Sequence, residues 1–163
     1  GTVITVNISI LINDGNIPAA TNKSSHSALN SNAPLKGIKA LIAEDNELNT
    51  EIAVFFLENA GATAVCANSG KEAADLFAAS APGEINVILM DIMMPEMDGI
   101  QATGIIRAMK RPDAATVPII AMTANAYPED SMRARNYGMN EHLPKPISQQ
   151  KLIETVLKVL SKN

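Results

Sequence analysis

The sequence predicts an α/β fold, a doubly wound five-stranded parallel sheet with helices on both faces. Two observations carry that expectation. After Gly37, short apolar runs alternate five times with segments of helical periodicity, the mark of βαβ units. Four of those runs also end in a polar residue at what would be one edge of the sheet: Glu44-Asp45, Asp91, Thr123 and Lys145. Only 37–162 is needed for the five units. Before it lie 13–36, rich in Asn, Ser, Gly and Pro, which reads as a flexible linker, and 1–12, an alternating β-branched stretch that reads as a strand without a partner in this chain.

The first strand is IKALIA, Ile38 to Ala43, and Leu48, Ile52, Phe55 and Phe56 then recur at helical spacing until Gly61 stops the helix. ATAVCA, Ala62 to Ala67, is the second strand, and Ser69 with Glu72 forms a capping box for a helix presenting Ala73, Leu76 and Phe77. INVILM, Ile85 to Met90, is the third strand; Asp98 with Gln101 caps the helix that carries Ile105, Ile106 and Met109, and Pro112 ends it. VPIIAM, Val117 to Met122, is the fourth. Pro128 suits the first position of a helix running to about Tyr137, and a short fifth strand ends near Leu143 because Pro144 confines it to an edge. Leu152, Ile153, Val156, Leu157 and Leu160 make the final helix strongly amphipathic. Units of this length assemble in the flavodoxin-like strand order 2-1-3-4-5.

Composition excludes several functions. With 13 Lys and Arg against 17 Asp and Glu, the net charge of −4 argues against nucleic acid as a partner. A single cysteine, Cys66, forms no internal disulfide and reads as a small core residue, so cytoplasmic residence is expected. No apolar run approaches the roughly 20 residues that cross a bilayer, so no direct membrane contact by this chain is expected, although a longer parent could be anchored. There is no glycine-rich nucleotide loop, so kinase activity is not expected of this fragment.

Taken singly, each polar strand end has an ordinary explanation as a helix cap, a turn or a solvated residue. Taken together they do not. In an open parallel sheet, ligands bind beyond the carboxyl ends of the strands where strand order reverses, and Glu44, Asp45 and Asp91 would crowd there. Three carboxylates repel, by roughly 4 kcal/mol per pair at about 4 Å and an effective dielectric near 20, so the cluster calls for a cation. Oxygen ligands of this kind suit Mg²⁺. Lys145 adds a second positive charge and Thr123 a hydroxyl, which makes a receptor for phosphoryl oxygens with an aspartate available as nucleophile. The thioethers of Met93, Met94 and Met97 are poor ligands for a hard cation and read as packing or backbone-positioning residues, and His26 in the linker reads as solvated.

LIAEDNELN (Leu41 to Asn49), DIMMPEMDGI (Asp91 to Ile100), IIAMTANA (Ile119 to Ala126) and LPKPI (Leu143 to Ile147) resemble, in order and spacing, the motifs of response-regulator receiver domains of two-component phosphorelays. MMPEMDG looks most like receivers fused to histidine kinases, and GTVITVNISI is similar to the last strand of a kinase ATP-binding domain, which implies the C-terminal piece of a hybrid sensor histidine kinase. The resemblance implies that Asp91 is the phosphoacceptor and that Asp45 ligates Mg²⁺. Glu44 would hold a coordinated water or share the metal, and the Met93 carbonyl would complete the protein ligands. Thr123, Lys145 and the Ala124 N–H would bind phosphoryl oxygens, and Lys145-Pro146 would be cis. The implied partner is a histidine kinase or a histidine phosphotransfer domain, docked on the first helix. Where the family commonly has a switching Tyr or Phe, this chain has His142, either a switch residue of another kind or a plain edge-strand residue. Two other readings compete: a pseudo-receiver that only binds partners, and a phosphatase of the aspartyl-phosphate type, which would want an acid at the position held by Met93.

Overall fold

The computed structural model describes residues 33–124 and 134–162. The strand expected at 1–12, most of the linker with His26, and the residues Asn125, Tyr127, Pro128 and Met132 lie outside the described residues. The elements run β1 (Lys39–Ala43), α1 (Glu47–Asn59), β2 (Thr63–Ala67), α2 (Gly70–Ala79), β3 (Val87–Asp91), α3 (Gly99–Ala108), β4 (Ile119–Thr123), β5 (Glu141–Pro144) and α4 (Gln149–Leu160). Helical turns also occupy 134–136, inside the helix expected between β4 and β5. All four strand pairings are parallel and the order is β2-β1-β3-β4-β5. This is the predicted doubly wound, flavodoxin-like sheet.

Every residue of β3 and β4 is buried, because helices cover both faces of the central strands; continuous apolar sequence is the consequence. One core layer lies between the sheet and α2 and α3, where Leu41, Ile88, Met90 and Ile119 meet Phe77 and Ile106. The other lies under α1 and α4, where Ile42, Leu89 and Ile120 meet Leu57, Leu152 and Val156. The packed unit begins before Gly37. Leu35, placed in the linker by composition, is fully buried in the second layer, and its N–H donates to the Ala60 carbonyl at 2.9 Å.

Several local expectations need correction. In α1 it is Ala53 and Leu57 that face the core, with Phe56 half-buried against it, while Leu48, Ile52 and Phe55 are exposed, so most of the expected stripe points outward. The Ser69 hydroxyl does accept from the Glu72 N–H, but the Glu72 carboxylate takes the N–H of Asn68 rather than that of Ser69. The Asp98-Gln101 box has both arms. Helix α3 stops at Ala108, before Pro112, because Met109 turns to an extended backbone. Cys66 is exposed on the edge strand β2 rather than in the core.

The amino ends of the strands are tied by side chains that composition does not reveal. Asn86 and Asn140 act as extra strand residues: Asn86 Oδ1 accepts from Lys39 N at 2.7 Å and Asn140 Oδ1 from Ile119 N at 2.8 Å. Arg107 donates to the carbonyls of Gly138 and Ala114. Arg111 donates to the carbonyls of Phe77, Ser80 and Ala81 at the end of α2, lies 4.1 Å over the Phe77 ring, and pairs through Nε and Nη2 with Asp113 at 2.6 and 2.9 Å. The guanidinium holds the Asp113 carboxyl down at about 2, assisted by the Gly83 N–H.

Two outcomes test this packing. Leu35→Ala should cost about 2–4 kcal/mol in urea unfolding, as for other buried leucines; a loss under about 1 kcal/mol would put the segment outside the core. Because the folded pKa of Asp113 is depressed, its stabilisation is present above the unfolded value of about 4 and is lost as pH falls towards 2. Asp113→Asn should therefore be less stable at neutral pH, by about 1 kcal/mol after solvent screening, and the gap should close between about pH 4 and pH 2; a gap independent of pH would rule out the ion pair as its source.

Candidate functional site

Register puts the site together. Ala43 pairs with Met90, so the next residues along, Glu44 and Asp91, lie side by side where β1 and β3 meet and strand order reverses. Asp91 pairs with Met122 and Thr123 with Pro144, so Thr123 and Lys145 end the next two strands at the same edge. The structure thus brings together Glu44, Asp45 and Asp91, each offering a carboxylate oxygen within 4.8 Å of the others, and brings Lys145 onto two of them. Glu44 and Asp91 are buried and Asp45 is exposed. Thr123 is buried and Ala124 is exposed at the end of β4.

The Lys145 ammonium donates to Asp91 Oδ2 at 2.7 Å and meets Glu44 Oε2 at 2.5 Å. The peptide bond between Lys145 and Pro146 is cis, as the resemblance implied. Asp91 Oδ1 accepts the Met93 N–H at 3.1 Å. Burial pushes the Asp91 carboxyl up, and the hydrogen bonds from Lys145 and Met93 do not fully offset it. Burial also works against the Lys145 charge, yet the bonds to Asp91 and Glu44 hold its pKa above the ordinary value. Three carboxylates meet one ammonium here, so the site is short of positive charge. An all-oxygen donor set on a partly buried, under-compensated cluster fits a hard divalent ion such as Mg²⁺.

The Met93 side chain is 77% exposed, so of its two readings packing is not the one the structure shows. Met94 is buried and Met97 packs against the core, as their reading as packing residues required. His142 is half-buried on β5, with its Cα paired to Ala121.

Three residues beside the site carry no chemical signal in the sequence. A Cβ on Gly99 would lie 2.1 Å from the Asp91 carbonyl, and one on Gly70 would lie 2.6 Å from the Met97 carbonyl, so only glycine lets the β3–α3 loop close against its own strand and against α2. Asn49 donates from Nδ2 to Glu44 Oε1 at 2.8 Å. Its position three residues after the Asn46 cap is the one signal available, because a polar residue there is expected to bond back to the cap. Its side chain goes to Glu44 instead.

Comparison with known proteins agrees with this geometry. The family model described as the response regulator receiver domain matches residues 40–157. A probable histidine kinase 2 of Oryza sativa subsp. indica is 34% identical over 134 residues, covering 76% of this chain and 13% of that protein. The sensor protein GacS of Pseudomonas syringae pv. syringae is 36% identical over 131 residues, covering 80% of this chain and 14% of that protein. The chain therefore spans about an eighth of the length of those relatives. Among solved structures, the receiver domain of sensor histidine kinase PA1611 from Pseudomonas aeruginosa, with a magnesium ion coordinated in its active site cleft, superposes with a TM-score of 0.69 at 31% identity, over 77% of this chain and 98% of that one. The Vibrio cholerae chemotaxis protein CheY4 gives a TM-score of 0.69 at 25% identity, over 76% of this chain and 98% of its own. With the sheet order, the acidic cluster and the family match in agreement, the chain belongs to the response-regulator receiver domains of two-component signalling.

Proposed function

We propose that this receiver accepts a phosphoryl group from a phosphohistidine onto Asp91 and changes the surface it offers to partners as a result. One observation carries the reading: a nearly buried carboxylate ends the central strand with an ammonium on Oδ2 and two further acids close enough to share a metal ion. An Asp91 oxygen forms the new bond to phosphorus as the phosphorus–nitrogen bond of the donor breaks, and the electron pair leaves with the imidazole. Lys145 follows the charge from the carboxylate to a phosphoryl oxygen, and Thr123 with the Ala124 N–H takes the others. Asp45, Glu44, Asp91 and the Met93 carbonyl would hold Mg²⁺. When bound, the ion offsets charge on the acids and on the phosphoryl group.

The new charge on Asp91 biases the domain between two arrangements of the β4 end, which is how a local electrostatic event reaches the surface. On α1, exposed Leu48, Ile52 and Phe55 make an apolar face next to Asp45, which suits docking of a helical phosphohistidine domain. The receiver would then be one part of a hybrid histidine kinase. Met93 at the second residue after Asp91 offers no acid, which argues against the phosphatase reading.

Intact mass after incubation with acetyl phosphate tests the central claim. The native chain should gain one phosphoryl group only when Mg²⁺ is present, and Asp91→Asn should gain none. A native chain that binds Mg²⁺ but gains nothing from acetyl phosphate or from a purified phosphohistidine donor would be an interaction module instead. Mg²⁺ should also raise the melting temperature, with about 1.4 kcal/mol of added stability at ten times its Kd. Asp45→Asn should abolish that increase, and an unchanged increase would remove Asp45 from the ligand set.

A further inference from the structure

The acid Glu44 is only 1% exposed, and each of its two oxygens has a different partner. Oε2 faces the centre of the site, where Lys145 reaches it at 2.5 Å, and Oε1 faces α1, where the Asn49 amide donates at 2.8 Å. The backbone of Asn49, not its side chain, serves the helix: its N–H donates to the Asn46 cap at 3.1 Å, and Thr50 N donates to the Asn46 carbonyl. The amide of Asn49 is therefore not needed to start α1. We infer that Asn49 is a positioning residue for the metal, which fixes Glu44 so that Oε2 alone is presented to the ion. The inference rests on the Mg²⁺ reading given above.

The physical case turns on charge and freedom. A glutamate has one more rotatable bond than an aspartate, so an untethered Glu44 would spend much of its time in rotamers unsuited to an ion, and ordering it would oppose binding. A tether must hold the carboxylate without cancelling its charge. A lysine or arginine at position 49 would pair with Glu44 and weaken its pull on a cation, whereas a neutral amide orients one oxygen and leaves the full negative charge in place. Lys145 differs in this respect: its ammonium lies on Oε2 itself, so it would compete with a divalent ion for the oxygen that Asn49 leaves open. The Asn49 bond need not break at any stage. Partners of this kind, one step removed from the ion, set the orientation of its ligands.

The test is a Mg²⁺ titration followed by amide chemical shifts on the native chain, Asn49→Ala, Glu44→Ala and the double variant, with thermal melting in EDTA for each. Asn49→Ala should weaken Mg²⁺ binding by about tenfold or more, the usual effect of losing such a partner. Its melting in EDTA should fall modestly, because a buried Glu44 oxygen loses its donor while the cap stays intact and alanine is the better helix former, and the fall should be too small to unfold the domain during the titration. In the Glu44→Ala background the same change should do almost nothing, because its route to the metal is gone. Asn49→Leu, of the same branched shape but without a donor, should repeat the alanine loss of Mg²⁺ affinity. Unchanged Mg²⁺ affinity in both single variants at 49, or an equal loss with and without Glu44, would overturn the inference while leaving the metal reading standing. A folded native chain that binds no Mg²⁺ would overturn the metal reading and this inference with it.

Discussion

Parallel pairing of β1 with β3 sets two acids side by side in a place with little water, and most of the molecule's particular features answer that one constraint. Alone, Glu44 and Asp91 would repel across a few ångströms of poorly solvated space. Lys145 reaches in from the end of the edge strand β5 to pair with both, and Asn49 takes the remaining oxygen of Glu44. The compensation is incomplete, as the upward push of burial on Asp91 indicates. A cluster of acids left short of positive charge suits a divalent ion.

Stability is supplied at the opposite end of the sheet. There Asn86 and Asn140 extend the strand pairing, and Arg107 and Arg111 gather carbonyls from the ends of helices and loops. Arg111 does this while stacked on Phe77 and paired with Asp113, so one side chain joins the end of α2 to the loop before β4. None of these groups touches the acidic cluster. Separation of this kind keeps the groups that hold the strands in register apart from the acids of the carboxyl edge.

Much of this was legible in the sequence because it is periodic or punctuated. The five βα units, the strand order, and the four polar strand ends follow from apolar runs, caps and a general rule about where open sheets bind ligands. Spacing alone could not say which face of α1 is buried: Ala53 and Leu57 turn inward while Leu48, Ile52 and Phe55 stay exposed, which tertiary packing decides and the periodicity of one helix does not. Cys66 went astray for a related reason, since a strand at the sheet edge is covered on fewer sides than its composition suggests. Leu35 was hidden by its polar neighbours in sequence, and Asn49 by its resemblance to an ordinary cap residue. Arg107 and Arg111 gave no signal, because an arginine that binds carbonyls far along the chain looks the same as one in solvent.

Gly99 and Gly70 carry a consequence for how this domain can vary. Each stands where another stretch of backbone passes closer than any β-carbon allows, one against Asp91 itself and the other against the loop beyond it. In a library of random substitutions these two positions should therefore be as intolerant as the acids, although neither bears a functional group. A map of mutational tolerance would mark them as catalytic. Their contribution is the vacant volume that lets a loop lie flat beside Asp91.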